Sequence, residues 1–215
     1  MTRKFKLDGS TGCTLSPPPI FLATWEHANM VCLETDRLIL RGWEERDVAP
    51  FAAMNADPRV MAFFPSTLTA RESRKTYERL KSRAEANGFH FQPIEFKRSG
   101  SFAGFVGIAR VTIDVDFAPA IEIGWRLPFD FWGKGYATEA ATAWLDYGFG
   151  SLDLDEVVSF AVHSNKRSQN VMARIGMTRD PNGDFWHPDI APGYDLARHF
   201  FYRIRKGEFL ACKAK

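Results

Sequence analysis

A glycine turn between two strongly patterned segments constrains this chain more than any other feature. Apolar β-forming residues alternate over 120–127, and Pro128 closes the run. After the turn, apolar residues recur at helical spacing over 137–148. Gly133 and Gly135 therefore lie where a strand passes into a helix. Glycine at such a point lets the backbone adopt a positive φ and leaves N–H groups open to a ligand.

A turn of this kind is suited to bind phosphate or pyrophosphate. The first N–H groups of a helix have no intrahelical partner, and the helix dipole adds partial positive charge there. Lys134, between the two glycines, adds a full positive charge. The P-loop pattern is not met, because its lysine follows the second glycine whereas Lys134 precedes it.

A dinucleotide-binding turn is the alternative for the same residues. That fingerprint has Gly or Ala where Thr138 stands, and it normally opens its βαβ domain, whereas several elements precede Gly133. Asp153 and Asp155 lie near the distance along the chain that is expected for an acid binding ribose. The order of elements disfavours this interpretation.

Composition excludes several classes of protein. A chain of 215 residues with 45% hydrophobic and 25% charged residues is typical of one soluble globular domain. A net charge of +2 gives no electrostatic reason to expect nucleic acid or a membrane surface as partner, and no apolar run is long enough to span a bilayer. The cysteines and histidines lack metal-ligand spacing, so no metal site is predicted. Cys13, Cys32 and Cys212 read as reduced thiols of a cytoplasmic protein.

The domain is predicted over 31–207, with a C-terminal tail at 208–215. Residues 1–30 differ from the rest and have no signal-peptide core. They are predicted to be a disordered extension, or to precede a true start at Met30.

A second strand–helix segment follows the glycine turn. Residues 155–162 are apolar and β-branched, and an apolar helix closed by Gly176 comes after Asn165 and Ser168. Strand, helix and parallel strand form a βαβ unit. By itself, Asn-x-x-Ser is an ordinary helix cap, and Ser168 could cap a helix beginning near Gln169.

The other predicted elements come before the turn. Thr69 and Glu72 form a capping box for the second helix, and Gly104 and Gly107 predict a bulge or a close backbone approach. The elements are a strand at 33–41, helices at 46–56 and 69–86, and a hairpin of strands at 89–97 and 102–113.

The glycine turn resembles motif A of the GNAT superfamily of acetyl-CoA-dependent N-acetyltransferases. Gly133 and Gly135 match the two glycines of Gln/Arg-x-x-Gly-x-Gly/Ala, whereas Asp130 departs from its first position. The run Trp-Gly-Lys-Gly-Tyr-Ala-Thr-Glu-Ala is the form usual in the RimJ/RimL-like branch, which resembles the ribosomal-protein N-terminal acetyltransferases.

The resemblance extends over about residues 33–205. Glu-Thr-x-Arg-Leu-x-Leu-Arg at 34–41 is the usual opening of the branch, and Asn165-x-x-Ser168 matches its second segment. The closing hairpin at 184–203 is also similar, although the branch more often has Asp or Glu where Trp186 stands.

The resemblance implies a mixed α/β GNAT fold, in which helices cover both faces of a central twisted sheet and a splayed strand pair holds coenzyme A. It implies acetyl-CoA as the co-substrate, with no metal. The backbone N–H groups of Trp125 and Leu127 would bind the acetyl carbonyl oxygen. The residues expected to bind acetyl-CoA are Ile123, Trp125, Leu127, Trp132, Gly133, Lys134, Gly135, Tyr136, Ala137, Thr138, Asn165 and Ser168.

Two catalytic residues follow from the resemblance. Glu122, on the strand that would carry the thioester, is the first candidate for the general base, and its alternative is a structural pair with Arg126 or a neighbouring cation. Asp184 and His187 are reserve bases. Ser168 would protonate the thiolate, unless it is only a helix cap, while Asn165 would hold the pantetheine or a water. Candidate linings of the acceptor pocket, with core packing as the alternative, are Phe63, Phe64 and Tyr77.

The predicted function is transfer of an acetyl group to a primary amine, on a protein N-terminus or a small molecule, by direct attack on the thioester. The alternative is a GNAT-fold module that binds acyl-CoA without catalysis. Members of the superfamily often dimerise, so a homodimer is one expected assembly.

Overall fold

One mixed sheet contains all nine strands in the part of the chain that this computed structural model describes, residues 30–191 and 193–214. The strand order is β1-β2-β3-β4-β5-β6-β9-β7, and β8 pairs with β9. Only the β5–β6 pairing is parallel. The strands are β1 (Leu33–Glu34), β2 (Leu38–Leu40), β3 (Phe91–Phe96), β4 (Phe102–Arg110), β5 (Ile121–Arg126), β6 (Glu156–Val162), β7 (Thr178–Arg179), β8 (Phe185–Trp186) and β9 (Arg198–Arg205).

Five α-helices accompany this sheet in the same described residues. They are α1 (Val48–Ala56), α2 (Ala70–Asn87), α3 (Tyr136–Gly150), α4 (Lys166–Arg174) and α5 (Lys206–Lys213). The capping box predicted for α2 is present, because the Thr69 hydroxyl accepts the N–H of Glu72 and the Glu72 carboxylate accepts the N–H of Thr69. The predicted mixed α/β architecture is confirmed.

Two hydrophobic clusters cover opposite faces of the sheet. Trp144 of α3 is fully buried in one cluster, and Trp43 packs with residues of α1 and α2 in the other. Along β4, Phe105 belongs to the α1–α2 cluster while its neighbour Val106 belongs to the α3 cluster. Successive side chains of a strand point to opposite faces, and residues paired across β4 and β5 share a face. The division along β4 therefore also assigns each β5 side chain to one face.

The first predicted strand, 33–41, is wrong, because the chain folds there into two short strands. β1 and β2 pair with each other, with Leu33 opposite Leu40. The turn between them is closed by an N–H···O bond of 3.0 Å from Thr35 to Leu38. Glu139 of α3 also accepts bonds from the Thr35 hydroxyl and the Arg37 N–H. The residue that stabilises this turn lies far along the chain, where strand periodicity cannot reveal it.

The two ends of the chain differ in what the structure describes. The segment 208–215, left outside the domain on sequence patterns, largely belongs to α5, since buried Phe209 packs 5.2 Å from Phe149 between ring centroids. The predicted extension at 1–30 lies outside the described residues except for Met30. Among the described helices, none has the length and apolar character needed to cross a bilayer.

The hairpin of β3 and β4 is confirmed, with shorter strands than predicted. Its two glycines mark close backbone approaches. A Cβ at Gly104 would lie 2.4 Å from the carbonyl oxygen of Arg126, and one at Gly107 would lie 2.1 Å from that of His90. Gly104 and Gly107 therefore let β4 approach β5 and β3 closely. A shift in the register of β3 against β4 falls between Ile94 and Glu95.

We expect Gly107→Ala to lower the free energy of unfolding by about 1–3 kcal/mol, because the added methyl overlaps the backbone of β3. Gly150→Ala is the matched control. A Cβ there meets nothing within 4 Å, so alanine at this helical position should be neutral or stabilise by up to about 1 kcal/mol. Urea unfolding of the two variants measures the difference. Equal stability of both would show that the β3–β4 approach is not tight.

Candidate active site

The site begins where β5 and β6 part. These parallel strands share a single pair in register, Glu122 opposite Val158. Just beyond it, the Ser159 hydroxyl donates a 2.8 Å hydrogen bond to the carbonyl oxygen of Ile123, which shows that this backbone edge faces β6. The backbone groups of the residues two and four positions after Ile123 point in the same direction. Trp125 and Leu127, the predicted donors to a carbonyl oxygen, therefore present their N–H groups toward the gap.

A cavity of about 500 Å³ occupies this gap. Its lining contains Glu122 and every residue predicted to bind the cofactor except Lys134. The Lys134 side chain is exposed, with its ammonium 5.9 Å from the ring centroid of Phe131. The cavity thus brings together predicted site residues that are separated by up to 46 positions, from Glu122 to Ser168.

The glycine turn forms the start of α3. Gly133 has φ 74° and Gly135 has φ 83°, and Gly135 is the N-cap. The first intrahelical bond runs from the Glu139 N–H to the Gly135 carbonyl oxygen at 2.9 Å, so the N–H groups before it have no helical partner. A Cβ at Gly133 would meet nothing within 4 Å. The turn is an open concave surface of backbone donors, as a pyrophosphate requires.

Arg37 brings a cation to this turn, which sequence reasoning missed. Its Nη1 donates to the Lys134 carbonyl oxygen at 3.0 Å, and its guanidinium lies 4.4 Å from the ring centroid of Tyr136. Glu139 binds the same arginine through Nε at 2.6 Å. Burial alone would raise the pKa of Glu139, but the hydrogen bonds from Thr35 and Arg37 outweigh it and lower that pKa. The Thr-x-Arg pattern of the opening segment is the sequence signal that could have revealed this cation.

The start of α4 differs from the prediction. Asn165, not Ser168, is the N-cap, since its Oδ1 accepts the N–H of Ser168 at 3.1 Å and the helix begins at Lys166. The interpretation of Ser168 as the cap is therefore wrong, because Asn165 already fills that position. Ser168 lies in the first turn and lines the cavity. Its hydroxyl makes no hydrogen bond to any described residue, so it is available to a ligand.

Glu122 is half-buried and has no ion-pair partner among the described residues. Burial raises the pKa of its carboxyl to about 7. The alternative in which Glu122 pairs with Arg126 is wrong, because the Arg126 Nη1 donates instead to Asn55 Oδ1 at 2.8 Å. A carboxyl with this pKa beside a cavity has the property required of a general base at neutral pH.

Glu122 and Arg126 lie on the face of β5 opposite α3. Arg126 is within 5.4 Å of the Phe105 ring centroid, on the α1–α2 side, whereas Ile123 and Leu127 pack in the α3 cluster. Of the predicted pocket aromatics, Phe63 and Phe64 line the cavity. The third, Tyr77, is 2% exposed and packs 5.6 Å from Trp43 between ring centroids, so it belongs to the core.

Two histidines also face the cavity on this side. His187, a predicted reserve base, lies 5.1 Å from His199 between ring centroids, and burial lowers the pKa of both imidazoles. The His199 Nδ1 is 3.1 Å from the Ala197 carbonyl oxygen, so it donates there and leaves Nε2 as an acceptor. No role in the site was predicted for His199 from the sequence. Asp184, the other reserve, binds Arg179 instead and does not line the cavity.

The cavity rim on α4 is cationic. Arg167 lies 4.9 Å from the Trp132 ring centroid, and Arg174 also lines the cavity. The two acids weighed for ribose binding, Asp153 and Asp155, precede β6 and therefore lie at the other end of this parallel pair, outside the lining. That position argues against a dinucleotide site.

Comparison with known proteins gives the family. The profile of the family described as "Acetyltransferase (GNAT) domain" matches residues 37–178. YkkB, an uncharacterized protein of Bacillus subtilis (strain 168), is 34% identical over 160 residues, covering 74% of this chain and 92% of YkkB. YnaD of the same organism, an uncharacterized N-acetyltransferase, is 27% identical over 177 residues, covering 82% of this chain and 98% of YnaD.

Solved structures share the fold. An acetyltransferase (GNAT family) from Bacillus anthracis superimposes with a TM-score of 0.69 at 24% identity, over 83% of this chain and 100% of that one. Mycobacterium smegmatis RimJ in complex with CoA-disulfide gives a TM-score of 0.64 at 19% identity, over 85% of this chain and 94% of RimJ. Fold, profile and relatives agree: the chain belongs to the GNAT family of acetyltransferases and is an acyltransferase.

Proposed function

We propose that this acetyltransferase transfers the acetyl group of acetyl-CoA to a primary amine by direct attack, as members of the RimJ/RimL-like branch do. One observation carries the proposal: the parting of β5 and β6 opens a cavity with a helix N-terminus on one side of the sheet and unpaired Glu122 on the other. Such a gap accommodates a thioester between a phosphate-binding turn and a base.

The cavity residues suit acetyl-CoA, which supplies an activated acetyl group as a thioester. The backbone N–H groups of Gly135 and of the first turn of α3 would bind its pyrophosphate. Arg167 adds positive charge nearby, whereas the charge of Arg37 is paired with Glu139. Asn165 uses Oδ1 for its cap, which leaves Nδ2 to donate to the pantetheine.

Three residue groups perform the proton and charge chemistry in this proposal. Glu122 accepts a proton from the acceptor ammonium, and the freed amine nitrogen forms a C–N bond to the acetyl carbon. The N–H groups of Trp125 and Leu127 stabilise negative charge on the carbonyl oxygen. As the C–S bond breaks, the Ser168 hydroxyl gives its proton to the sulfur. The attacking nitrogen loses its second proton as it becomes an amide nitrogen, and that proton returns to the Ser168 oxygen through solvent.

The acceptor is a protein N-terminus or a small molecule with a primary amine. Phe63 and Phe64 line the cavity on the acceptor side, and Phe64 is 39% exposed. A non-catalytic acyl-CoA-binding module would not need a carboxyl held near neutral pKa beside the gap. The alternative therefore predicts binding without turnover, which the following experiments can recognise.

Acetyl-CoA at about 100 times its Kd should stabilise the protein by about 2.7 kcal/mol, whereas NAD should not shift the melting temperature. Gly135→Val should raise the Kd for acetyl-CoA at least about tenfold, because its side chain fills the pyrophosphate surface. Gly193→Val is the control for backbone strain, since Gly193 also has a positive φ, 89°. A Cβ at Gly193 meets nothing within 4 Å, whereas one at Gly135 would lie 3.3 Å from Arg37 Nη2. Calorimetric titration measures both. Similar losses in the two variants would contradict the assignment.

Glu122→Gln should lower kcat by about 10²–10⁴-fold, the range that a positioned base contributes. In the wild type the rate should rise as pH increases through about 7, because the carboxyl must lose its proton before it can accept one. This rise of the rate with pH should be absent in Glu122→Gln. Glu85→Gln, an exposed glutamate of α2, is the control and should keep the profile. An unchanged profile in Glu122→Gln would move the role to His187 or His199.

Ser168→Ala should lower kcat by about 100-fold while leaving the melting temperature unchanged, because alanine is well tolerated inside a helix and the cap is elsewhere. Asn165→Ala should instead lower the free energy of unfolding by about 1 kcal/mol, through loss of the cap. Thiol release and thermal unfolding separate the two effects. Full turnover in Ser168→Ala would leave the serine without a chemical role.

A further inference from the structure

The Arg126 guanidinium has one hydrogen bond within the described residues, and its partner is neutral. Nη1 donates to Asn55 Oδ1 at 2.8 Å. Nε is buried, and neither Nε nor Nη2 donates to a described residue. No carboxylate lies within ion-pair distance of this arginine in the same residues. Burial lowers the pKa of the guanidinium to about 10, which reflects a charge that the fold does not neutralise.

The position of this guanidinium is nevertheless fixed from two sides. Asn55 of α1 is fully buried, and its Nδ2 donates to the Ser73 hydroxyl of α2 at 3.3 Å. The guanidinium lies 4.0 Å from the ring centroid of Phe64 and 5.4 Å from that of Phe105. A half-buried charge whose position is fixed but which has no ion-pair partner is unfavourable. Such an arrangement is expected where a ligand supplies the opposite charge.

The charges around the cavity point to the nature of that ligand. Among the described lining residues, the only carboxylate is Glu122, whereas Arg126, Arg167 and Arg174 are cations. Glu122 and Arg126 lie on one face of β5, four residues apart, so their Cα atoms are about 13 Å apart. Both side chains face the same space, opposite α3.

We propose that Arg126 binds a carboxylate of the acceptor, so that the acceptor is an amino acid or a related molecule carrying both a primary amine and a carboxylate. This inference rests on the proposed function. The amine meets Glu122, and the carboxylate completes the hydrogen bonding of Arg126 as a charge-assisted pair. Asn55 is a positioning residue, which orients the guanidinium without neutralising it. A polyamine would bring a second cation to Arg126 and is disfavoured.

The test compares acceptors that differ only in the acid. Acetyl-CoA-dependent thiol release is measured with phenylalanine against phenylalaninamide and with 4-aminobutyrate against 4-aminobutyramide, at equal concentrations of free amine. We expect at least one acid to exceed its amide at least about tenfold in kcat/KM, as one charge-assisted pair gives. Arg126→Gln should remove this preference, mainly through KM, and leave the Kd for acetyl-CoA unchanged.

Two further variants make the result specific. Arg110→Gln removes an exposed arginine of β4 outside the cavity and should keep the acid preference. Asn55→Asp keeps the guanidinium and supplies a counter-charge within the chain. It should therefore raise KM for the acid and not for the amide, even if Arg126→Gln folds poorly.

The outcomes separate the two proposals. Failure of the wild type to bind acetyl-CoA would overturn the proposed function. Binding and turnover without an acid preference, or a preference that survives Arg126→Gln, would overturn only the role of Arg126, as would weaker acetyl-CoA binding in that variant. If none of the four amines is turned over, the N-acetylated acids and amides are compared as stabilisers in melting experiments. Equal shifts for acid and amide would then contradict the inference.

Discussion

The parting of two parallel strands is the constraint on which the rest of the site depends. β5 and β6 meet at one pair, Glu122 with Val158, and then separate. Backbone groups at such a gap must find other partners, because an unpaired buried amide is costly. Ser159 satisfies one of them, the carbonyl of Ile123, at 2.8 Å. Beyond it, Trp132 Nε1 donates to the Leu127 carbonyl oxygen at 2.8 Å. The N–H groups of Trp125 and Leu127 remain as the proposed donors to a ligand, and the helices that follow the two strands both begin at this opening.

Local features of the chain were predictable because short-range rules determine them. The glycine turn, the capping box of Thr69 and Glu72, and the β3–β4 hairpin each depend on residues within a few positions of one another. The residues predicted to bind acetyl-CoA came from the family resemblance, and all of them except Lys134 line one cavity. Strand alternation was sufficient to orient Trp125 and Leu127.

Features that depend on distant partners were not predictable in the same way. The turn at Thr35 is stabilised by Glu139, and Arg126 turns from Glu122 toward Asn55 of α1. Likewise, whether an aromatic residue lines a pocket or fills the core depends on packing between elements. Tyr77 and Phe64 were both candidate pocket linings, yet only Phe64 reaches the cavity. No periodicity encodes these choices.

Glu139 links the first hairpin of the sheet to the glycine turn. Its carboxylate holds Thr35 and Arg37 of the first hairpin while its N–H closes the first turn of α3. The hairpin and the glycine turn therefore form one cooperative unit, whose local unfolding separates both together. We therefore expect a ligand that restrains the turn to slow amide hydrogen exchange in β1 and β2 as well. The N-terminal edge of the sheet thus reports on occupancy of a site at its centre.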